Sequence, residues 1–328
     1  MGAALYPKDA DASDELLIAA DTALYEAKAR GRGQSQVFRE HLRADTAGQR
    51  KLGEELYDAI EREEFEAFFQ PKVRLRDCRL IGFEALVRWR HPRKGLLPPA
   101  SFLARAEAGG LTRAIDARVV QQVATIAARW TKAGLDFGRI AVNVSAASFA
   151  EPHFVTALAQ TLDRAGMAPR HLMVEVVESI FINDDAKSVI GKCDALRCLG
   201  VQIELDDFGT GYAALAHLRT FNVDGIKLDR SFLAGVGTNR EDEVIIGAIV
   251  GLANNLGLCC VAEGIETERQ LQFLRELGCQ NGQGYLFGRP ADGASVTAWL
   301  RHLTETEMVI PIGSSWAPPK TLAFSLLR

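Results

Sequence analysis

Short apolar runs rich in β-branched residues alternate with longer amphipathic stretches along most of the chain. Downstream of residue 139 these runs are Ile140 to Val144, Leu172 to Val177, Val201 to Leu205, Gly225 to Leu228 and Leu258 to Ala262. Strands that are buried on both faces and alternate with helices are typical of a parallel sheet. The pattern therefore predicts an α/β protein in which each strand is followed by a covering helix.

The remaining runs bring the number of predicted strands to eight. Upstream lie Ala67 to Leu75 and Leu80 to Trp89, and Gly284 to Gly288 is the last candidate. Between strands, two apolar stripes have helical spacing: Phe154, Leu158 and Leu162, and then Ile245, Ile249 and Leu252. Eight strands with intervening helices favour a closed TIM-like (β/α)8 barrel over an open doubly wound sheet.

Polar side chains interrupt or follow these apolar runs at corresponding places. The acids and amide in question are Glu84, Asn143, Glu175, Asp206, Asp207 and Glu263. In a barrel, the carboxyl ends of the strands converge on one mouth, where active sites lie. Buried carboxylates repel one another and lose hydration, so a cluster of them requires a compensating cation. The sequence therefore predicts a polyacidic pocket that holds divalent cations.

The residue types in this set indicate which cations and which reaction to expect. Oxygen ligands without cysteine or histidine suit Mg²⁺ or Mn²⁺ and disfavour Zn²⁺ or copper. Asp206 and Asp207 are neighbours, so both face one site only if the strand ends there, as the turn-like Phe208 to Tyr212 suggests. Such a pair can bridge two ions about 3.5–4 Å apart for displacement at phosphorus. Lys227 would either hold the attacking water or offset charge on the phosphate.

Composition narrows the class of protein further. Hydrophobic residues make up 48% and charged residues 24% of the chain, and the net charge is -4, so an electrostatic grip on a DNA or RNA duplex is not expected. Six scattered cysteines suggest a reduced, cytoplasmic protein, and the histidines form no metal-binding pair. No apolar run is long enough to span a membrane, and no membrane contact is expected from this chain.

Several motifs resemble those of EAL-domain cyclic di-GMP phosphodiesterases. The Glu-Ala-Leu signature is Glu84-Ala85-Leu86, preceded by Gln70-Pro71. The other matching stretches are Val142 to Ser145, Glu175 to Ser179, Asp206 to Tyr212, Ile226 to Phe232, Val261 to Thr267 and Gly282 to Pro290. The resemblance covers roughly residues 50 to 303 and involves many motifs, which makes it specific.

The resemblance implies a barrel with one strand antiparallel to the others and two Mg²⁺ or Mn²⁺ ions at its mouth. One ion would be bound by Glu84, Asn143, Glu175 and Asp206, and the other by Asp206, Asp207 and Glu263. The implied reaction is the hydrolysis of cyclic di-GMP to linear pGpG by two-metal activation of water. Lys227 would position the water, and Glu263 is the candidate general base.

Further roles follow from the same resemblance. Gln70 and Arg88 would hold the substrate, and Gln283 would align water or phosphate. Asp229 would contact either Lys227 or the substrate. Two acids would stabilise loops: Glu178 braces the loop after Asp207, and Glu266 either serves loops near the pocket or is a surface acid. A homodimer through the barrel is also expected.

One departure from the family pattern lies in the loop after Asp207. The family commonly has two serines after the tyrosine, where this chain has Ala213 and Ala214. A hydroxyl that would reach Glu178 is missing. The loss of one such hydrogen bond costs about 1 kcal/mol, which predicts modulation rather than loss of activity.

The resemblance also divides the chain. Residues 1–40, with a predicted helix at Asp14 to Lys28 followed by Gly31-Arg32-Gly33, resemble the C-terminal remnant of a GGDEF domain without its signature loop. Residues 41–64 are predicted to be a connecting helix, 65–305 the phosphodiesterase barrel and 306–328 a tail that packs on the barrel or a neighbour.

Two other functions compete with hydrolysis of cyclic di-GMP. Barrels of this family that lose ligands often act as receptors that bind cyclic di-GMP without cleaving it, but no ligand is lost here. A glycosidase would use two carboxylates on a barrel, and it would have no use for the Asp-Asp pair, the amide and Lys227.

Overall fold

The chain divides into two compact units in a computed structural model that describes residues 2–10, 16–17, 19–20, 23, 36–38, 52–178, 180, 186–209, 221–302 and 309–310. One unit comprises Met1–Arg62 and Ala100–Leu111, and the other comprises Glu63–Pro99 and Thr112–Arg328. All of the predicted site residues belong to the second unit. The loop at 210–220 lies outside the described residues.

The first unit contains a short parallel strand pair and a small apolar cluster. The strands are β1 (Gly2–Ala3) and β2 (Gln36–Val37). Ala19, Ala23 and Phe38 form the cluster. Of the predicted connecting helix, residues 52–64 are described; 52–61 are helical, and the chain leaves the helix in a turn at 62–63. The helix α1 (Leu103–Ala108) also belongs to this unit. The stretch Gly31 to Gly33 lies outside the described residues.

Among the residues that the structure describes, the second unit contains ten strands. These are β3 (Phe65–Arg74), β4 (Arg79–His91), β5 (Gly95–Leu97), β6 (Arg139–Val144), β7 (Leu172–Val177), β8 (Gln202–Phe208), β9 (Gly225–Leu228), β10 (Cys259–Ala262), β11 (Asn281–Gln283) and β12 (Ala291–Asp292). Its helices are α2 (Thr112–Lys132), α3 (Ala146–Ala150), α4 (Phe154–Ala165), α5 (Ala186–Leu199), α6 (Arg230–Leu233), α7 (Arg240–Leu256), α8 (Glu268–Glu276) and α9 (Gly293–His302).

Eight of these strands close into a ring. The hydrogen-bonded order is β3, β11, β10, β9, β8, β7, β6, β4, and β4 pairs again with β3. β3 runs antiparallel to both of its ring neighbours, whereas the other pairings in the ring are parallel. The predicted TIM-like barrel with one antiparallel strand is therefore confirmed.

The position of the last strand was predicted wrongly. β11 covers Asn281–Gln283, whereas the expected run, Gly284 to Gly288, forms a turn. Gln283 is consequently the last residue of β11, whereas the predicted run begins after it. The apolar stripe of α7 also differs from the prediction, because Ile245 is exposed and Ile246 is buried in its place.

Alternation along β4 separates the core from the interior of the barrel. Phe83 packs between the strands and helices, with ring centroids 6.4 Å from Phe69 and 5.7 Å from Trp130. Successive side chains of a strand point to opposite faces. Glu84 therefore points into the barrel because its neighbour Phe83 belongs to the outer apolar layer.

The chain after the last barrel helix returns to the barrel wall. Val309 forms an antiparallel bridge with Arg79, and Ile310 donates its N–H to the carbonyl oxygen of Cys78. Ile310 is buried. The rest of the predicted tail, 306–308 and 311–328, lies outside the described residues.

Gly82 allows β4 and β6 to approach each other next to Glu84. A Cβ atom on Gly82 would lie 2.0 Å from the carbonyl oxygen of its register partner Arg139. We expect Gly82→Ala to lower the free energy of unfolding by about 3 kcal/mol, the upper end for overpacking, because the obstacle is backbone. Gly251→Ala is the control, since nothing lies within 4 Å of that Cβ position on α7. Urea denaturation of both variants checks the prediction, and equal stability would contradict it.

Candidate active site

The predicted polar residues converge at the carboxyl ends of the parallel strands. Glu84, Asn143, Glu175 and Asp206 lie on β4, β6, β7 and β8, respectively, and Glu263 directly follows β10. Glu84 and Glu175 are almost fully buried. The structure thus brings together residues that are up to 179 positions apart, from Glu84 to Glu263.

The ammonium of Lys227 is the centre of this cluster. Its Nζ lies 2.6 Å from Glu175 Oε2 and 2.5 Å from Glu263 Oε1. It also lies 3.2 Å from Asp206 Oδ1 and 3.5 Å from Glu84 Oε1. Lys227 itself is 1% exposed, so four carboxylates share one buried cation. One ammonium therefore cannot neutralise these four acids when all of them are ionised.

Two amides orient the carboxylate of Glu84. Asn143 Nδ2 donates to Glu84 Oε1 at 2.7 Å, and Gln283 Nε2 donates to Glu84 Oε2. Gln283 Nε2 also lies 3.5 Å from Glu263 Oε1. Both oxygens of Glu84 are thereby held, and the Gln283 amide spans two acids of the cluster.

Asp207 reaches the mouth of the barrel by a different route from the predicted one. β8 does not end at Asp206 but continues to Phe208, and its register with β9 shifts between Leu205 and Phe208. Asp207 has φ 55°, in the left-handed region, which interrupts the alternation of side chains. Its backbone N–H donates to Asp206 Oδ1 at 3.0 Å.

Burial and like charges oppose the ionisation of these acids. Burial raises the pKa of Glu263 to about 8; the charge of Lys227 opposes this rise, and the carboxylates of Glu84 and Asp206 add to it. Burial and then the charge of Asp206 raise the pKa of Asp207. Burial alone would lower the pKa of Lys227, but the surrounding carboxylates raise it well above its ordinary value.

The predicted substrate-binding residues lie around the same mouth. Gln70 on β3 is the register partner of Glu84 and donates to the carbonyl oxygen of Gly288 at 3.0 Å. Arg88 is half-buried on β4, 5.8 Å from the ring centroid of Phe68, and burial lowers its pKa. Asp229 caps α6, where its Oδ1 accepts the N–H of Ser231 at 2.9 Å.

The two predicted loop-stabilising acids differ in burial. Glu178 is 5% exposed and directly follows β7. The side chain of Glu266 is exposed, and its backbone N–H donates to Gln270 Oε1 at 2.9 Å. The loop with Ala213 and Ala214 that Glu178 was predicted to brace lies outside the described residues.

Sequence reasoning missed two buried charged residues below the cluster, Lys72 and Glu204. Lys72 follows Gln70 by two positions on β3, and Glu204 precedes Asp206 by two positions on β8. Their period-two spacing from recognised site residues is the signal that places them inside the barrel.

The donor set fits hard divalent cations. In the described part of the chain, no three acidic, histidine or cysteine side chains are already arranged to bind a metal ion, because the carboxylates converge on Lys227 instead. The available ligands are nevertheless all oxygens, and carboxylates outnumber the ammonium. The Oε1 atom of Gln283 is buried and accepts no hydrogen bond from the described residues, which leaves one acceptor at the site unsatisfied.

Comparison with known families decides to which one the chain belongs. The model of the EAL domain matches residues 53–290. The chain belongs to the EAL domain family. This match contains the whole barrel from β3 to β11 and all of the predicted site residues.

Relatives of this EAL domain include bacterial signalling proteins. The bifunctional diguanylate cyclase/cyclic di-GMP phosphodiesterase MucR of Pseudomonas aeruginosa is 40% identical over 299 residues, which are 91% of this chain and 43% of that protein. The cyclic di-GMP phosphodiesterase PdeR of Escherichia coli is 36% identical over 303 residues, 92% of this chain and 45% of that protein. The chain therefore spans less than half the length of these relatives.

Solved structures share the architecture of this EAL domain. A structure described as the PaMucR phosphodiesterase in complex with c-di-GMP has a TM-score of 0.72 and 39% identity, and the match covers 75% of this chain and 99% of that one. The EAL enzyme Bd1971 in its cAMP- and cyclic-di-GMP-bound form has a TM-score of 0.73 and 28% identity, covering 90% of this chain and 77% of that one.

Proposed function

We propose that this EAL domain is a phosphodiesterase that hydrolyses cyclic di-GMP to linear pGpG with the help of two Mg²⁺ or Mn²⁺ ions. The observation that carries the proposal is the convergence of four carboxylates on Lys227 at the mouth of the barrel. Relatives with 36–40% identity bear the names of cyclic di-GMP phosphodiesterases. EAL phosphodiesterases are metal-dependent in general, and the excess of carboxylates here agrees with that dependence.

The residues divide naturally between two cation sites. Glu84, Asn143, Glu175 and Asp206 would hold one ion, and Asp206, Asp207 and Glu263 would hold the other. When bound, such ions supply Lewis-acid chemistry and a water molecule of lowered pKa. The left-handed conformation of Asp207 supports a shared role for the two aspartates, since it removes the strict alternation that would point them apart.

Lys227 and Glu263 would act on the attacking water, which must lose a proton during hydrolysis. Their charged atoms lie 2.5 Å apart, so an attacking water in this place can donate to the carboxylate of Glu263 while it accepts from the ammonium. Burial of Lys227 keeps the ammonium fixed, and a fixed cation offsets the charge that develops on the phosphate. Gln283 bridges Glu84 and Glu263 and aligns the water or the phosphate oxygen.

Three further residues around the mouth would hold the rest of the nucleotide. Arg88 lies four residues beyond Glu84 on β4, about 13 Å along the strand, which is within reach of a second phosphate of a cyclic dinucleotide. Gln70 flanks Glu84 on the neighbouring strand. Asp229 would contact either Lys227 or the substrate, and its Oδ1 accepts the N–H of Ser231.

Incubation with cyclic di-GMP tests the proposal. We expect linear pGpG to accumulate with Mg²⁺ or Mn²⁺ and to be absent when a chelator removes the ions, as measured by liquid chromatography. Nucleotide binding by calorimetry without any pGpG in either ion would contradict hydrolysis and favour the alternative, a receptor module for cyclic di-GMP.

The oligomeric state of the domain stays a prediction. A homodimer through the barrel is expected from the family resemblance. Light scattering of the purified domain would show whether it dimerises.

Among the described residues, no helix is both long and apolar enough to cross a membrane.

A further inference from the structure

A second buried lysine, Lys72, lies beneath the candidate active site. Its Nζ atom is 2.5 Å from Glu204 Oε2 and 3.1 Å from Glu175 Oε1. The side chains of these three residues are 5%, 2% and 0% exposed, respectively. The three charges therefore form a chain inside the barrel, shielded from solvent.

Glu175 is held between two ammonium groups. Lys72 donates to Oε1 at 3.1 Å from below, and Lys227 donates to Oε2 at 2.6 Å from the side of the mouth. A carboxylate with both oxygens fixed by opposite partners has little freedom to rotate. Its direction is thus set as much by Lys72 as by the residues of the mouth.

Space filling alone does not account for a charged pair at this depth. The interior of such a barrel is ordinarily filled by layers of branched apolar side chains. Burial of an ion pair requires that Coulomb attraction and hydrogen bonds outweigh desolvation, and well-packed apolar residues are often as stable or more so. Besides Glu175 and Glu204, Lys72 Nζ contacts only a weak acceptor among the described residues, the Sδ atom of Met173 at 3.8 Å.

The barrel is not tightly packed around Lys72 and Glu204 at the end opposite the candidate active site. A cavity of about 310 Å³ lies there, and Lys72 and Glu204 line it together with the small residues Gly82 and Ala141. Apolar replacements for the pair therefore have room.

We propose that Lys72 is a positioning residue for Glu175, and that Glu204 anchors Lys72 in the required place. This inference rests on the proposed function, in which Glu175 is a ligand of a divalent cation. Partners that orient metal ligands typically contribute 10–100-fold to metal affinity or activity. Lys72 does not touch the reacting atoms in this scheme; it acts through the carboxylate of Glu175.

A double variant separates positioning from mere structural support. Lys72→Met/Glu204→Met removes both charges and leaves no unpaired ion among these two residues, so we expect the domain to fold with a melting temperature near that of the wild type. Calorimetric titration of the nucleotide-free protein with Mn²⁺ should nevertheless show at least about tenfold weaker binding. In hydrolysis assays, the Mn²⁺ concentration at half-maximal rate should rise, with kcat largely restored at saturating Mn²⁺.

Two further variants keep the inference testable. Glu204→Gln preserves the shape of the side chain and leaves Glu175 as the one acidic partner of Lys72, so Mn²⁺ affinity should fall a few-fold. This single variant tests the inference if the double variant does not fold. Arg74→Met is the control, since Arg74 is a cation on the same strand that pairs with Asp77 at the surface, and it should leave Mn²⁺ affinity unchanged. Wild-type Mn²⁺ affinity in the folded double variant, or in Glu204→Gln, would overturn the inference.

The outcome for the wild type distinguishes the two proposals. If the wild type neither hydrolyses cyclic di-GMP nor takes up Mn²⁺, the proposed function fails before any variant is considered. If the wild type does both and the variants at Lys72 and Glu204 match it, the proposed function stands and the positioning role fails.

Discussion

We expect Glu84→Ala to abolish the hydrolysis of cyclic di-GMP, with kcat/KM at least about 100-fold lower than in the wild type. The carboxylate of Glu84 accepts from Asn143 and Gln283 and lies 3.5 Å from Lys227, so its removal leaves two amides without their shared acceptor. It also removes one of the oxygen donors that the cations need. Production of pGpG under saturating Mn²⁺ is the measurement.

The matched control for Glu84→Ala is Glu276→Ala. Glu276 ends α8 and accepts a hydrogen bond from Gln272 on the exposed face of that helix, so its loss should leave turnover unchanged. Circular dichroism and thermal melting establish that both variants are folded. Full turnover by folded Glu84→Ala would refute the assignment of the site.

The second large effect is expected from Lys227→Met. Without this ammonium, four carboxylates within 3.5 Å of its position have no common counter-charge. Removal of one partner from a buried ion pair typically destabilises a protein by about 3–5 kcal/mol. We therefore expect a loss of that size in the free energy of unfolding of the metal-free domain, together with at least about 100-fold slower hydrolysis.

Added divalent cations reveal the origin of this instability. Mn²⁺ should raise the melting temperature of Lys227→Met more than that of the wild type, since bound cations replace the missing positive charge. Lys192→Met is the control, because Lys192 donates to the backbone carbonyl groups of Phe149 and Ala150 far from the acids. A variant at Lys227 that matches the wild type in stability and turnover would contradict the central place given to this lysine.

Much of the fold followed from local patterns in the sequence. Strands such as Leu172–Val177 and Gly225–Leu228 are continuous apolar runs broken by a single polar residue, and their bounds were predicted correctly. Because the period of a strand is two, Glu175 and Lys227 had to point away from the apolar neighbours that pack against helices. Convergence at one mouth then followed from the closure of the barrel.

Other features depend on contacts that one sequence does not reveal. β11 is only three residues long and owes its position to pairing with β3 and β10 rather than to apolar content. The left-handed backbone of Asp207 depends on the local shift in register between β8 and β9. Lys72 and Glu204 lie 132 residues apart in sequence, and only the closed barrel shows that they neutralise each other.

The ring closes where β3 meets β11, and this seam has a consequence for folding. Only three residue pairs join the two strands, and one of them is Lys72 with Gln283. Contacts between segments some 200 residues apart carry a large loop-closure entropy, so we expect this pairing to form late and to open early in hydrogen exchange. The step that completes the cylinder would then also deliver Gln283 to Glu84, so that an incompletely folded chain lacks a complete candidate active site.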